Sequence, residues 1–428
     1  MKLSKYSFLI LLILFLKPID LFSQTANDMF EAGMEKVKSG KCIDAIIDFT
    51  KVVEKSPYFY DAYLERGKCN FALGKKDAAL ADFTKAIEKK ADYHHAFFQR
   101  GIVYAEMGND KAAFSDFTKV IELKPKFFEA YSKRGLLNLK ANKNDLAIAD
   151  YSKAIELNAK ESDYYYNRAF AYKALLKEDL AISDLNKAIE IKPGLANAFY
   201  ERAILLDKKN QIPPAIIDYS KAIELKIANQ DVFKRRAYAY FKTQKYTEAI
   251  KDFSKLIDEF KTKEAEIYTY RGISYNNTAN YPAAIKDFSK ATTLNPKNEV
   301  NFIQRGVSYM KTNKTQQAIV DFSKAININP DNPDSYSNRA ELYTKQKKYE
   351  LAIEDYNKSL KLKPDAENYF LRGGCKEIMG NSDGACEDLN LAANLGHKKA
   401  KSLLDKCISS GDKKSREKNN NNSKNIYK

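Results

Sequence analysis

The chain has 428 residues, 44% hydrophobic and 30% charged, so it carries enough apolar material to fold but is too long for one ordinary globular core. Its net charge is +16, with Tyr and Phe as its aromatics and no Trp. Acids and bases are interspersed along it rather than gathered into a basic face with stacking aromatics, which excludes a nucleic-acid-binding surface as the main function.

The first predicted element is a leader over residues 1–23. Lys2 and Lys5 form a positive start, Phe8 to Leu16 is an unbroken apolar run, and Lys17-Pro18 ends it. Ser23 leaves a small residue before Gln24. This is the layout of a cleaved secretory signal, and the run is short of the roughly 20 apolar residues a spanning helix needs. The expectation is an exported protein, periplasmic or extracellular, with no transmembrane span after cleavage. The alternative is a chain anchored by its uncleaved N-terminus.

Residues 24–394 are dominated by one recurring phrase. It reads AIIDFTKVVEKS at 45–56, ALADFTKAIEKK at 79–90, AIADYSKAIELN at 147–158 and AIVDFSKAININ at 318–329. Upstream of every phrase after the first stands Arg followed by Gly or Ala, from Arg66-Gly67 to Arg372-Gly373. Successive small residues lie 34 apart, with one step of 35 before Gly272 and one of 33 before Gly373. Gly33 adds a first copy without the Arg, which makes eleven. Within the third copy, Phe97, Gly101 and Tyr104 share a helical face, Gly108-Asn109-Asp110 breaks the helix, and Ala113, Phe117 and Val120 form the facing stripe. Two such helices cannot bury their faces alone, whereas stacked copies can.

The pattern resembles the tetratricopeptide repeat. That family has a large residue, a small one four later and an aromatic three after that, then Ala, an aromatic and a helix-ending Pro over 34 residues. Here the large residues run from Met29, Tyr63 and Phe97 to Tyr369, the alanines from Ala45 to Ala385, and the closing prolines include Pro57, Pro125, Pro193, Pro296, Pro330 and Pro364. The resemblance covers nearly all of 26–395. It implies an all-α, right-handed superhelical solenoid of about eleven helix-turn-helix repeats. Lys36 in the first repeat and Lys376 in the last depart from it, standing where an aromatic is usual.

An Asp stands at the same second-helix position in all eleven repeats, followed by an aromatic in nine and by Leu185 and Leu389 in the other two, and ten repeats carry the matching Arg. A charge pair repeated so often in one chain predicts an architectural Arg–Asp ladder rather than a catalytic device. Residues 395–410 read as an amphipathic capping helix. The tail 411–428 is Asn-rich with six basic and two acidic residues, and reads as disordered. Of the five cysteines, Cys42 and Cys69 lie near one end of the chain and Cys375, Cys386 and Cys407 near the other. They suit end-stapling disulfides or small buried contacts, and the sequence leaves the choice open.

No catalytic motif accompanies the repeats. His94 and His95 are adjacent at a helix start and point apart, which suits a metal poorly. There is no His-Glu-x-x-His, phosphate loop, Gly-x-Ser-x-Gly or Cys-x-x-Cys. The expectation is a non-enzymatic protein with no cofactor or metal, binding a protein or peptide. In the family it resembles, the first helix of each repeat lines a concave groove, and the residues one and five after the large aromatic face it. This places a groove at Phe30, Leu64, Lys68, Phe98, Ile102, Leu136, Tyr166, Phe170, Tyr200, Ile204, Lys234 and Tyr238. The competing expectation is that these side chains pack against the next repeat. Asn167 and Asn338 match one residue of the carboxylate clamp that some members use for C-terminal tails, but the rest of that clamp is missing. The alternative function is a structural envelope spacer acting through its convex face, its ends and weak contact of the basic tail with anionic surfaces.

Overall fold

The computed structural model describes residues 26–404; the leader, the tail and the end of the capping segment lie outside the described residues. All regular structure among the described residues is helical. The described helices run from α1 (26–38) to α22 (Ser382–Asn394) in a repeating helix-turn-helix order, and α23 (398–404) follows. The chain divides into two bodies, Met1–Leu205 and Leu206–Lys428. Each is a solenoid stack in which consecutive helices pack on one another, from α2 (Cys42–Lys55) to α10 (Glu178–Ile191) in the first body and from α12 (Ile212–Glu224) to α22 in the second.

The two irregular steps of the repeat fall in loops. The added residue before Gly272 enlarges the connection between α14 (Tyr246–Asp258) and α15 (Ala265–Asn277). The residue missing before Gly373 shortens the link between α20 (Tyr349–Leu362) and α21 (Ala366–Ile378). Helices keep their register because a one-residue shift inside them would rotate the apolar stripe away from the core.

The turn inside each pair needs one residue of left-handed backbone. Gly40, Gly74, Gly108 and Gly380 supply it, as do Asn142, Asn210 and Asn313. The fifth repeat uses Leu176 instead, at φ 57° and 75% exposed. Its side chain gains no burial to offset the steric penalty of that conformation. Leu176→Gly is therefore expected to stabilise the chain by about 0.5–1 kcal/mol, read as a higher denaturation midpoint. An unchanged or lower midpoint would contradict this account of the turn.

The core repeats with the sequence. The alanine of each second helix is buried, and so is the aromatic that follows it, with Phe49, Phe83, Phe117, Tyr151, Phe253, Phe288, Phe322 and Tyr356 almost wholly enclosed; the fifth and eleventh repeats have Leu185 and Leu389 in its place. The small residue of the first helix lets these rings approach. A Cβ on Gly67 would lie 2.6 Å from the Phe83 ring, and one on Gly272 2.8 Å from Phe288. Where the small residue is alanine, the facing residue is Leu185 in the fifth repeat and Tyr356 in the tenth.

The charge ladder is present and reaches further than the sequence shows. Arg271 grips Asp287 with two parallel bonds, Nε to Oδ2 and Nη2 to Oδ1, each 2.7 Å. Its third nitrogen donates to Ser254 Oγ of the preceding repeat at 3.1 Å. The same three-point contact recurs at Arg66, Arg100, Arg134, Arg168, Arg236, Arg305, Arg339 and Arg372. Each arginine thus ties its own repeat together and fastens it to the one before. The acceptor is the Thr, Ser or Asn that follows the second-helix aromatic, as in Asp-Phe-Thr or Asp-Tyr-Ser. Seven of these guanidinium groups, and that of Arg202, also lie over the large aromatic of their own helix, for example Arg305 at 5.5 Å from the Phe302 ring centre.

The first repeat, which lacks the Arg, is not an exception in charge. Lys36 Nζ reaches Asp48 at 2.5 Å. In the last repeat Lys376 joins Arg372 on Asp388 at 2.9 Å. The two lysines that depart from the family pattern therefore serve the same carboxylate. Asn70 and Asn138, at the equivalent position, donate to Asp82 and Asp150 at 2.9 Å.

Candidate functional site

The first helices of the first body carry ten of the twelve predicted groove residues, and the structure sorts them into two groups. Leu64, on α3 (Tyr60–Ala72), is buried in a cluster with Ala79 and Phe83. Phe30 packs on Phe49 and Phe59, with ring centres 5.5 and 5.0 Å away. Phe98, on α5 (His94–Glu106), makes an edge contact with Phe127 at 5.0 Å and leans on Phe117 at 5.8 Å. Ile102 joins the cluster of Ala113, Phe117 and Leu137. Lys68 pairs with Glu65 at 2.7 Å. These five act mainly as packing or intrahelical pairing residues.

The second group presents apolar surface outward. Leu136, on α7 (Phe128–Lys140), is 37% exposed. Tyr166 and Phe170, on α9 (Ser162–Ala174), meet edge to face at 4.9 Å and are half-buried. Lys173 lies over Phe170 at 5.2 Å and pairs with Glu201 at 2.5 Å. This holds the lysine along the ring instead of free in solvent. Tyr200 and Ile204, on α11 (Ala196–Lys208), are also half-buried. Burial, followed by Glu201 and Asp163, pushes the Tyr166 phenol up to about 12, so it remains a hydrogen-bond donor at neutral pH.

One further row of the first body escaped the sequence reading. Tyr93 donates its hydroxyl to Asp61 and stacks edge-on against Tyr60 at 4.9 Å. His95 lies 6.0 Å from Tyr93, and His94 sits 4.0 Å from His95 and 5.7 Å from Phe127. Burial holds both imidazoles below their ordinary range. The signal was an aromatic or histidine at the start of the first helices of the second to fourth repeats, Tyr60, His94 and Phe128, outside the two positions used to trace the groove.

In the second body, Lys234 is tied to Glu264. Tyr238 makes edge contacts with Phe253 at 5.5 Å and Tyr270 at 4.9 Å, and Tyr270 meets Phe241 at 4.8 Å. Tyr238 is thus part of an aromatic cluster of its own body. At the far end His397 stacks on Phe370 at 4.2 Å, and its Nε2 lies 3.1 Å from Glu367.

Among the described residues no group of three or more His, Cys, Asp or Glu could hold a metal ion, and no helix is long and apolar enough to cross a membrane.

The tetratricopeptide repeat family description matches residues 30–94, 94–127, 128–161, 162–195, 234–299 and 333–366, and a TPR repeat description matches 306–347. Together the matches span well over half of the chain. No curated protein matches it. Among solved structures the chain is similar to MamA, at 26% identity over 37% of this chain and 94% of that one, with a TM-score of 0.36. It is similar to YrrB, described as a TPR protein with an unusual peptide-binding site, at 22% identity over 44% and 96%, with a TM-score of 0.40. It is also similar to a tetratricopeptide repeat protein from Parabacteroides merdae, at 21% identity over 67% and 99%, with a TM-score of 0.37.

Proposed function

Because the chain belongs to the tetratricopeptide repeat family, whose members generally mediate protein–protein interaction, we propose that it is a non-enzymatic scaffold that captures a segment of a protein partner along the first helices of its first body. The observation that carries this reading is the outward apolar surface of Leu136, Tyr166 and Phe170 on α7 and α9. Apolar side chains at successive first helices offer a strip on which an extended or helical segment can bury its own apolar residues. The half-buried aromatics are held by their neighbours before any partner arrives, so binding costs little side-chain entropy. The leader pattern of residues 1–23 supports export, with the partner met in the periplasm or outside the cell.

Replacing Leu136 with the photo-reactive residue p-benzoylphenylalanine tests the location. Irradiation of cells making this variant is expected to cross-link one protein partner. The same residue at Leu146, 53% exposed on the second helix α8 (Asn144–Leu157), is expected to leave it unlabelled. Equal labelling from both positions, or labelling from Leu146 alone, would contradict a first-helix site.

A further inference from the structure

We propose that Cys42 and Cys69 form a site of reversible disulfide modification that staples the first repeat to the second. Cys42 opens α2 (Cys42–Lys55) and Cys69 lies in the last turn of α3. Consecutive antiparallel helices bring the start of one beside the end of the next, and both cysteines belong to one cluster with Ala45, Phe49, Val52 and Ala62. Both thiols are free. Cys69 is enclosed and Cys42 is partly exposed. The remaining charges around Cys69 are Glu65 and Lys68, which pair with each other.

The two thiols have unequal roles in the exchange. Burial, followed by the neighbouring Cys42 thiol, pushes Cys69 up to about 12, which makes it a poor first nucleophile. The partly exposed Cys42 is the point of entry. Its thiolate attacks one sulfur of a low-molecular-weight or protein disulfide. The donor's S–S bond breaks, and one half leaves as a thiolate that takes up a proton. Cys69 then gives up its proton and attacks Cys42 Sγ, expelling the second half of the donor. Two protein thiols are oxidised and one donor disulfide is reduced to two thiols.

The position gives the bond a consequence. Among the described residues the first repeat has a neighbouring repeat on one side only, and a stack frays most readily from such an end. A bond between residues 42 and 69 closes a loop across that junction and restricts the unfolded chain. It also fixes the cluster on which Phe30 rests. Export would place the pair in an oxidising compartment, where such a bond persists. The inference stands on the cysteine pair and does not depend on the partner-binding surface.

The test uses the full chain equilibrated in glutathione buffers from fully reduced to fully oxidised, quenched in acid, alkylated and mapped by mass spectrometry. The expected result is a linked Cys42–Cys69 peptide, two hydrogens lighter than the sum of its parts, that grows with the oxidised fraction and disappears on reduction. The oxidised form should melt higher than the reduced form, and Cys42→Ser or Cys69→Ser should each abolish both the peptide and that difference. Separate alkylation of the two thiols at every ratio would overturn the proposal. So would glutathione held on Cys42 beside an alkylated Cys69, or a bond from either cysteine to any other.

Discussion

Arg305→Ala is expected to destabilise the second body by about 3–5 kcal/mol, the usual cost of removing one partner of a buried, hydrogen-bonded ion pair. Arg305 binds both oxygens of Asp321, at 2.7 and 2.8 Å, and donates to Ser289 and Thr292 of the preceding repeat at 3.1 Å. The Asp321 side chain is only 3% exposed, so the alanine variant strands a carboxylate away from water. Arg305→Lys should recover little, because a single ammonium cannot reproduce the two-pronged grip together with the contact across repeats. The double variant Arg305→Met with Asp321→Leu should regain most of the loss, since it removes the buried charge altogether. Chemical denaturation followed by circular dichroism reads all three. A loss below about 1 kcal/mol for Arg305→Ala would show that the ladder decorates the stack without holding it. Burial already opposes charge in this ladder. At Asp287 it raises the carboxyl above its usual range despite Arg271 beside it. The ladder therefore sets the register of neighbouring repeats more than it adds net stability.

The second expectation concerns function. A chain carrying Leu136→Ser, Tyr166→Ala and Phe170→Ala should lose at least about 100-fold in affinity for its partner, because interface energy concentrates in a few aromatic and apolar anchors. Its melting temperature should fall only modestly, since Leu136 and Phe170 are partly exposed and Tyr166, which also packs on the cluster of Ala169, Ala181 and Leu185, is half-buried. Phe98→Ala is the contrasting case. It removes a ring wedged against Phe117 and Phe127, so it should lower stability by about 2–3 kcal/mol whatever it does to binding. Retained affinity in a folded triple variant would refute the proposed surface.

The fold was legible because one phrase recurs eleven times, so that each packing rule could be checked against ten further copies. The Arg–Asp pairing followed from the same repetition. The role of Thr50, Ser254 and their equivalents was missed although the triplet of Asp, aromatic or Leu, and hydroxyl or amide stands in every repeat. A side chain bonded to the next repeat leaves no mark in the periodicity of its own. The lysines at 36 and 376 looked like defects, because a pattern of residue types does not show that Lys36 can reach the carboxylate Arg serves elsewhere.

The groove was only partly legible. The positions one and five after the large aromatic lie where the exposed face of a first helix meets its contact with the next repeat. Small differences in neighbouring side chains decide which way each one turns. Leu64 and Phe98 were drawn into the packing, whereas Leu136 stayed outside.

Partner selection by the first-helix strip of the first body has a direct experimental consequence. It is tested most directly by cross-linked capture from cells that export the tagged chain, comparing the natural sequence, the triple variant and a chain lacking residues 411–428. The expected result is one partner enriched with the natural sequence, lost with the triple variant, kept without the tail, and kept in about 0.5 M salt, where exposed charge contacts are screened. Enrichment that survives the triple variant but disappears with the tail or with salt would contradict it, and would assign the binding to the basic tail.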